Sequence, residues 1–363
     1  MKLRPNATFN GFINSSIEIS DAGIIVFDPT SPEAARLFLE RNQSDVMIFP
    51  LPIGDMWSWW NFAEHLIDKI EMREDLKLEL PDFKQFLFDM GRIRILEDND
   101  IYQVSKNSYL GLQESMVAEH SEKILSVVSN LTDDESRRIY TQLLSGSPEE
   151  SWVHYCNRVF RSVQYFELID YQKCQVVING GVFEGFEIPY FACLLPDEAV
   201  IHNIDPLGYD FLTAYARSWM EIAPQRFIEN RFALAMKEGE LTFSAYDDGQ
   251  VQQQDIIDSD SPRYRTYPAK SLDNFVMECE LDRVDLIKFD LEGGDSDAVR
   301  GSFETIRRFR PQLALSIYHL TQDFWEIPQA IMNICDNYHF HIRQYSFERW
   351  ETVFYAIPKE PST

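Results

Sequence analysis

The chain has 363 residues, of which 45% are apolar and 13% aromatic. That is enough to bury more than one core, so a small stapled scaffold and a disordered chain are both excluded. With 33 basic against 59 acidic side chains the formal charge is −26, and no Lys/Arg-rich stretch offsets that field, which argues against nucleic acid and anionic membranes as partners.

Cys156, Cys174, Cys193, Cys279 and Cys335 are odd in number, widely spaced and never in a C-x-x-C pair. Neither a disulfide framework nor a zinc ribbon is indicated, and a reducing cytoplasm fits. The opening MKLRPNATFNGF has no continuous apolar run, and no stretch approaches the roughly 18 apolar residues of a membrane span. Membrane insertion is not expected, and the N-x-S/T triplets at Asn6, Asn14, Asn42 and Asn130 are read as unmodified.

In chain order, AGIIVF (22–27) and DVMIF (45–49) read as strands flanking a helix that starts at Ser-Pro-Glu. A Trp-rich segment (Met56, Trp57, Trp59, Trp60), two helical stretches and the strand-like GRIRIL and IYQV complete an α/β module over residues 1–108, its role unassigned. Residues 109–172 turn helical: LQESMVAEHSEKILSVVSNL, then TDDESRRIYTQLLSG with a Thr-x-x-Glu capping box, then a third stretch through VHYCNRVFRSVQYF. This is read as a helical connector or cap.

From residue 173 to 363 strand and helix alternate. CQVVING is a strand with a Gly-rich turn, GFEIPYFACLL a helix, AVIHNIDP a strand and YDFLTAYARSW a helix. A hairpin-like RFALAMKEGELTFSAYDDGQ, the SLDNFVMECE helix, the strand VDLIKFDLEG and the helix DSDAVRGSFETIRRF follow. The strand QLALSIYH, a helix near 327–336 and the strands YHFHIRQ and ETVFYAI close the chain. The pattern predicts an α/β fold with a doubly wound, mostly parallel sheet and an antiparallel pair at its end.

In such a sheet, ligands bind outside the carboxyl ends of the strands. Three strand ends carry unusual residues. Asn179, Gly180, Gly181, Glu184 and Gly185 form a bend that lets backbone approach a ligand. Asp205 closes the next strand, placed either to accept ribose hydroxyls or to cap a helix. In LIKFDLEG, alternation puts Lys288, Asp290 and Glu292 on one side, where burial is costly unless they pair or serve a ligand. Asp258 and Asp260 sit in a polar Ser-rich stretch read as a solvated loop, and His339 and His341 are read as edge-strand residues.

Residues 173–358 resemble the FkbM-type S-adenosylmethionine-dependent methyltransferases. The resemblance rests on NGGVFEG, IDP, SLDNF, LIKFDLEGGD, RPQLALSIYH and ETVFYAIP in order, and LTDDESRRIY extends it back to about residue 111. It implies a Rossmann-like class I methyltransferase domain that uses S-adenosyl-L-methionine and no metal. It further implies that Asn179, Gly180, Gly181, Glu184, Gly185 and Asp205 bind the cofactor. Asp290, Glu292 and His319 would then face the methyl group, with His319 as base and Asp290 assisting. The acceptor it implies is a hydroxyl on a sugar, glycan precursor or natural product, in a protein free to form homo-oligomers. Two departures are visible: Asn179 stands where the family has aspartate, and Gly294-Asp295 where it has Ala-Glu. They keep open a second reading, a degenerate module that binds without turnover. A nicotinamide dehydrogenase is disfavoured because G-x-G-x-x-G is absent.

Overall fold

The computed structural model describes residues 24–27, 47–50, 114–145, 164–245, 251–253, 264–345 and 349–359. The chain divides into two compact units, Met1–Val104 with Glu149–Val163 and Ser105–Pro148 with Gln164–Thr363. In the first unit, β1 (Ile24–Phe27) and β2 (Met47–Pro50) pair in parallel, Ile24 opposite Met47. Both lie where the β-branched runs predict strands. The helix between them, the Trp-rich segment and the third helix of the connector fall outside the described residues.

The second unit opens with α1 (Glu114–Glu119), α2 (Ser121–Asn130) and α3 (Asp134–Ser145). The cap of α3 is not the Thr132 of the expected capping box. Asp133 accepts the Ser136 N–H at 2.7 Å, while the Thr132 hydroxyl accepts the Phe340 N–H at 2.8 Å. Thr132 is thus spent on tying the helix entry to the sheet, and the next acceptor in sequence takes the cap.

The main sheet has seven strands: β3 (Val176–Gly180), β4 (Val200–Ile204), β5 (Arg226–Asn230), β10 (Leu286–Phe289), β11 (Gln312–Ser316), β12 (Tyr338–Gln344) and β13 (Thr352–Pro358). Their spatial order is β12-β13-β11-β10-β3-β4-β5. Strands β5, β4, β3, β10 and β11 run parallel, and β13 is antiparallel to both β11 and β12. Strand order therefore reverses between β3 and β10, and the last strand inserts inside the edge, which is the topology of the Rossmann-like class I methyltransferase fold. The central strands are buried on both faces, which is why they read as apolar runs rather than as alternation.

Helices α4 (Ile188–Leu194), α5 (Ala214–Ile222), α6 (Leu272–Glu278) and α9 (Asp323–Ile334) fall where the pattern predicts them, α9 starting a turn earlier with Pro328 inside it. The expected helix 295–309 is two, α7 (Asp295–Arg300) and α8 (Phe303–Phe309). They break at Gly301, where any Cβ would strike the Ala235 carbonyl. The segment read as one hairpin is larger than expected. Strand β5 precedes it, and β6 (Ala233–Leu234), β7 (Gly239–Ala245), β8 (Val251–Gln253) and β9 (Tyr264–Lys270) form a separate four-stranded sheet around Ala233, Ala235, Phe243 and Ala269. Among the described residues no helix is long and apolar enough to cross a membrane.

Candidate active site at the strand reversal

The glycine bend leaves β3 directly into the reversal. Gly181 and Gly185 both have φ +78°, and a Cβ on Gly181 would collide with the Asp290 carbonyl. Only glycine satisfies both conditions there. The Gly181 N–H donates to the Ile204 carbonyl at 2.9 Å, tying the bend to β4. Glu184 is exposed on the bend, and its carbonyl accepts the Thr213 N–H and hydroxyl at the start of α5.

Asp205 is buried beneath this bend. One carboxylate oxygen accepts the Val182 and Phe183 N–H groups at 2.9 and 3.2 Å, and the other accepts Leu207 N–H at 2.8 Å. Burial nevertheless raises its pKa against those three hydrogen bonds and the Lys288 charge. The carboxylate thus shapes the loop whether or not it also meets a ribose.

Asn179 is fully buried; its amide donates to Asn203 Oδ1 at 2.9 Å, while its own Oδ1 has no partner. Across the β3–β10 register from it stands Lys288. The ammonium donates to the Gly181 carbonyl at 2.7 Å and pairs with Glu187 Oε1 at 2.5 Å, both side chains almost wholly buried. Glu187 was not singled out in the sequence, and its Oε2 has no partner either. It is the counter-ion that the buried lysine requires.

Beyond Lys288, Asp290 lies at the end of β10. It accepts the Tyr165 hydroxyl at 2.7 Å on one oxygen and the Tyr318 hydroxyl at 3.1 Å on the other. Burial would raise its pKa, but the Lys288 and His319 charges and these two hydroxyls outweigh it and hold the pKa low. Glu292 has left the strand at φ +50° and carries a half-exposed side chain. His319 follows β11 and joins them: its Nδ1 lies 2.8 Å from Asp295, its Nε2 3.3 Å from Asp290 and 3.8 Å from Glu292. Burial alone would depress this imidazole. Asp295, by charge and hydrogen bond, and then Asp290 and Glu292 override burial and lift it to about 10.

The structure therefore brings together all three residues expected at the reaction centre, and adds Asp295, Tyr165, Tyr318 and Glu351. The helical pattern through VHYCNRVFRSVQYF puts Tyr165 in a helix; it sits instead at φ +68°, its hydroxyl 2.9 Å from Ser316 Oγ. Glu351 stands just before β13 in the ETVFYA motif; burial and the adjacent Asp290 push it up to about 8. Among the described residues no cluster of His, Cys, Asp or Glu could hold a metal ion. A cation with an amino group suits the donor set, since carboxylates outnumber cations and Asn179 Oδ1 and Glu187 Oε2 are buried acceptors without partners.

The strand order is that of a Rossmann-like class I methyltransferase fold. Residues 226–350 match the family model described as the Methyltransferase FkbM domain. The resemblance drawn from the motifs is thus borne out over β5 to the β12–β13 turn, which contains Asp290, Glu292, Asp295 and His319. Glycine bend and Asp205 lie before the matched residues. No curated protein matches the chain. Among solved structures, an FkbM methyltransferase from Methylobacillus flagellatus KT is 14% identical, with 93% of this chain and 83% of that chain covered, at a TM-score of 0.47. The O-methyltransferase from Bacillus cereus in complex with SAH is 11% identical over 70% of this chain and 100% of that one, TM-score 0.32. The Aeropyrum pernix fibrillarin with bound S-adenosyl-L-methionine is 9% identical over 53% and 70%, TM-score 0.30.

Proposed function

We propose that this chain is an S-adenosylmethionine-dependent O-methyltransferase acting in the cytoplasm on a hydroxyl of a sugar, glycan precursor or natural product. The observation that carries the reading is the carboxylate-rich centre of Asp290, Glu292 and Asp295 around His319, beside a glycine bend at the strand reversal. In this reading Gly180, Gly181 and Gly185, with Asn179 and Glu184, hold the amino-acid part of the cofactor, and Asp205 holds the ribose side of the bend. The bound cofactor supplies a methyl group on a positively charged sulfur.

The chain's own residues then have to align a hydroxyl and relieve it of a proton as the new C–O bond forms. His319 Nε2 is the acceptor of that proton. Asp295, fixed on Nδ1, orients the ring and stabilises its charged form. Asp290 is itself fixed by the Tyr165 and Tyr318 hydroxyls, so it holds the far side of the ring.

Transfer of a labelled methyl group from S-adenosylmethionine to a panel of glycosides and phenols tests this. The native chain is expected to methylate at least one class, and His319→Gln to lose about 10²–10⁴-fold in kcat while still binding cofactor. The second reading, a module that binds without turnover, is favoured by Asn179, whose amide is spent on Asn203. Cofactor binding without transfer, with transfer restored by Asn179→Asp, would establish it instead.

A further inference from the structure

His319 is nearly closed off from solvent, with 4% of its side chain exposed. Three elements press acidic groups on it: Asp290 and Glu292 from the turn after β10, Asp295 from the start of α7, and Asp323 from α9. Glu351 before β13 adds to the field, and its charge is partly quenched by its own raised pKa of about 8. Against these stand His319 itself and Lys288, which is already committed to Glu187 and to the Gly181 carbonyl. Tyr165 and Tyr318 contribute only neutral hydroxyls, because burial lifts both phenols well above their ordinary range.

The ring has Nδ1 hydrogen-bonded to Asp295, while Nε2 makes no hydrogen bond and faces Asp290 at 3.3 Å and Glu292 at 3.8 Å; three carboxylates around one ring favour the imidazolium. In that form it cannot accept a proton. The ring is also the one mobile positive charge of the cluster, since a proton can leave it while Lys288 is locked in its pair.

We propose that His319 serves as counter-ion of these carboxylates and becomes a base only when a ligand cation among them takes over that role and releases its Nε2 proton. The step is balanced: the Nε2–H bond breaks, its electron pair stays on nitrogen, and the proton passes to solvent. This rests on the methyltransferase reading, and it ties base formation to the sulfonium form of the cofactor. The demethylated product has the same nucleoside and amino-acid parts with an uncharged sulfur, so it leaves the histidine protonated.

Histidine-selective ¹⁵N labelling of the full chain, with titration of the His319 ring signals by NMR, tests the proposal directly. His319→Asn assigns the signals, and His319→Gln serves if the first variant does not fold. In the free protein and with S-adenosylhomocysteine the midpoint is expected near 10. With S-adenosylmethionine it is expected to fall by roughly a hundredfold in the protonation equilibrium, the size of one added unit charge at short range in a protein interior, which raises the neutral, base-competent fraction at pH 7 from about one in a thousand to about one in ten. Coincident midpoints for the two ligands, each shown to bind by its effect on the spectrum, would overturn the proposal and leave the methyltransferase reading standing. Failure of both ligands to perturb the spectrum would overturn both.

Discussion

Lys288 and Glu187 show at the level of single residues how cost and use are linked in this site. An ammonium and a carboxylate are taken out of water together, and the ammonium's remaining donors hold the glycine bend by its carbonyls. Lys288→Met is expected to lower unfolding free energy in urea by about 3–5 kcal/mol, because Glu187 is left buried without its cation. The double variant with Glu187→Gln should recover part of that loss. The sequence announced the lysine, since a charge in an apolar strand is expensive, but not its partner, which sits at the residue just before α4, a hundred residues away in sequence. The same limit applies to His319. Its strand-end position was legible, whereas Asp295, which sets its protonation, was noticed only as a departure from a motif. The raised pKa of His319 carries a sign that can be checked. Between the ordinary histidine value of 6.5 and about 10 the folded protein holds a proton that the unfolded chain has lost, so stability falls as pH rises through that window. Asp323, raised to about 7, acts in the same direction at lower pH. Urea titrations at pH 7 and 9.5 should show the decline, and His319→Asn should flatten it.

Among the elements, the junction of α3 with β12 shows what periodicity cannot supply. The amphipathic stretch and its polar start were readable, yet the choice between Thr132 and Asp133 as cap depended on the Phe340 N–H of a strand two hundred residues later in the chain. Asp133 also meets His341 and, at 3.2 Å, Arg343, whose guanidinium is buried against Glu167 and Ser136. Asp133→Ala is therefore expected to cost more than the roughly 1 kcal/mol of a lost cap, and more than Thr132→Ala, in thermal or urea unfolding. The glycine bend is the opposite case. Its sequence gave its position, and the positive φ of Gly181 and Gly185 explains the residue type. Gly181→Ala should strain the backbone by about 1–3 kcal/mol and force the bend off the Asp290 carbonyl, so its signature is lost cofactor binding at retained folding in circular dichroism. Strand β5 escaped the sequence pattern because its edge position leaves it mixed in polarity, and β9, though it lies between β6 and β7, carries the polar run Tyr264–Lys270 in a small sheet.

At the scale of the whole molecule, the alternation after residue 173 was enough to predict a doubly wound sheet. Spatial order was not legible, because the reversal between β3 and β10 joins segments separated by the entire four-stranded insertion. The acidic excess of 59 over 33 charged side chains sets a field that favours a cationic ligand and repels polyanions. Affinity for S-adenosylmethionine should accordingly weaken more than that for S-adenosylhomocysteine when salt is raised from about 0.05 to 0.5 M, as screening shortens the reach of that field. Cofactor binding in the proposed function needs one grip before any chemistry at His319, the glycine bend organised by Asp205 at the strand reversal. Isothermal titration calorimetry of the native chain and of Asp205→Ala with S-adenosylmethionine, S-adenosylhomocysteine and NAD measures it directly. Saturable binding of the first two ligands, none of NAD, and loss of both in the variant are the predicted results; saturable NAD binding, or cofactor binding unchanged by Asp205→Ala, would contradict it.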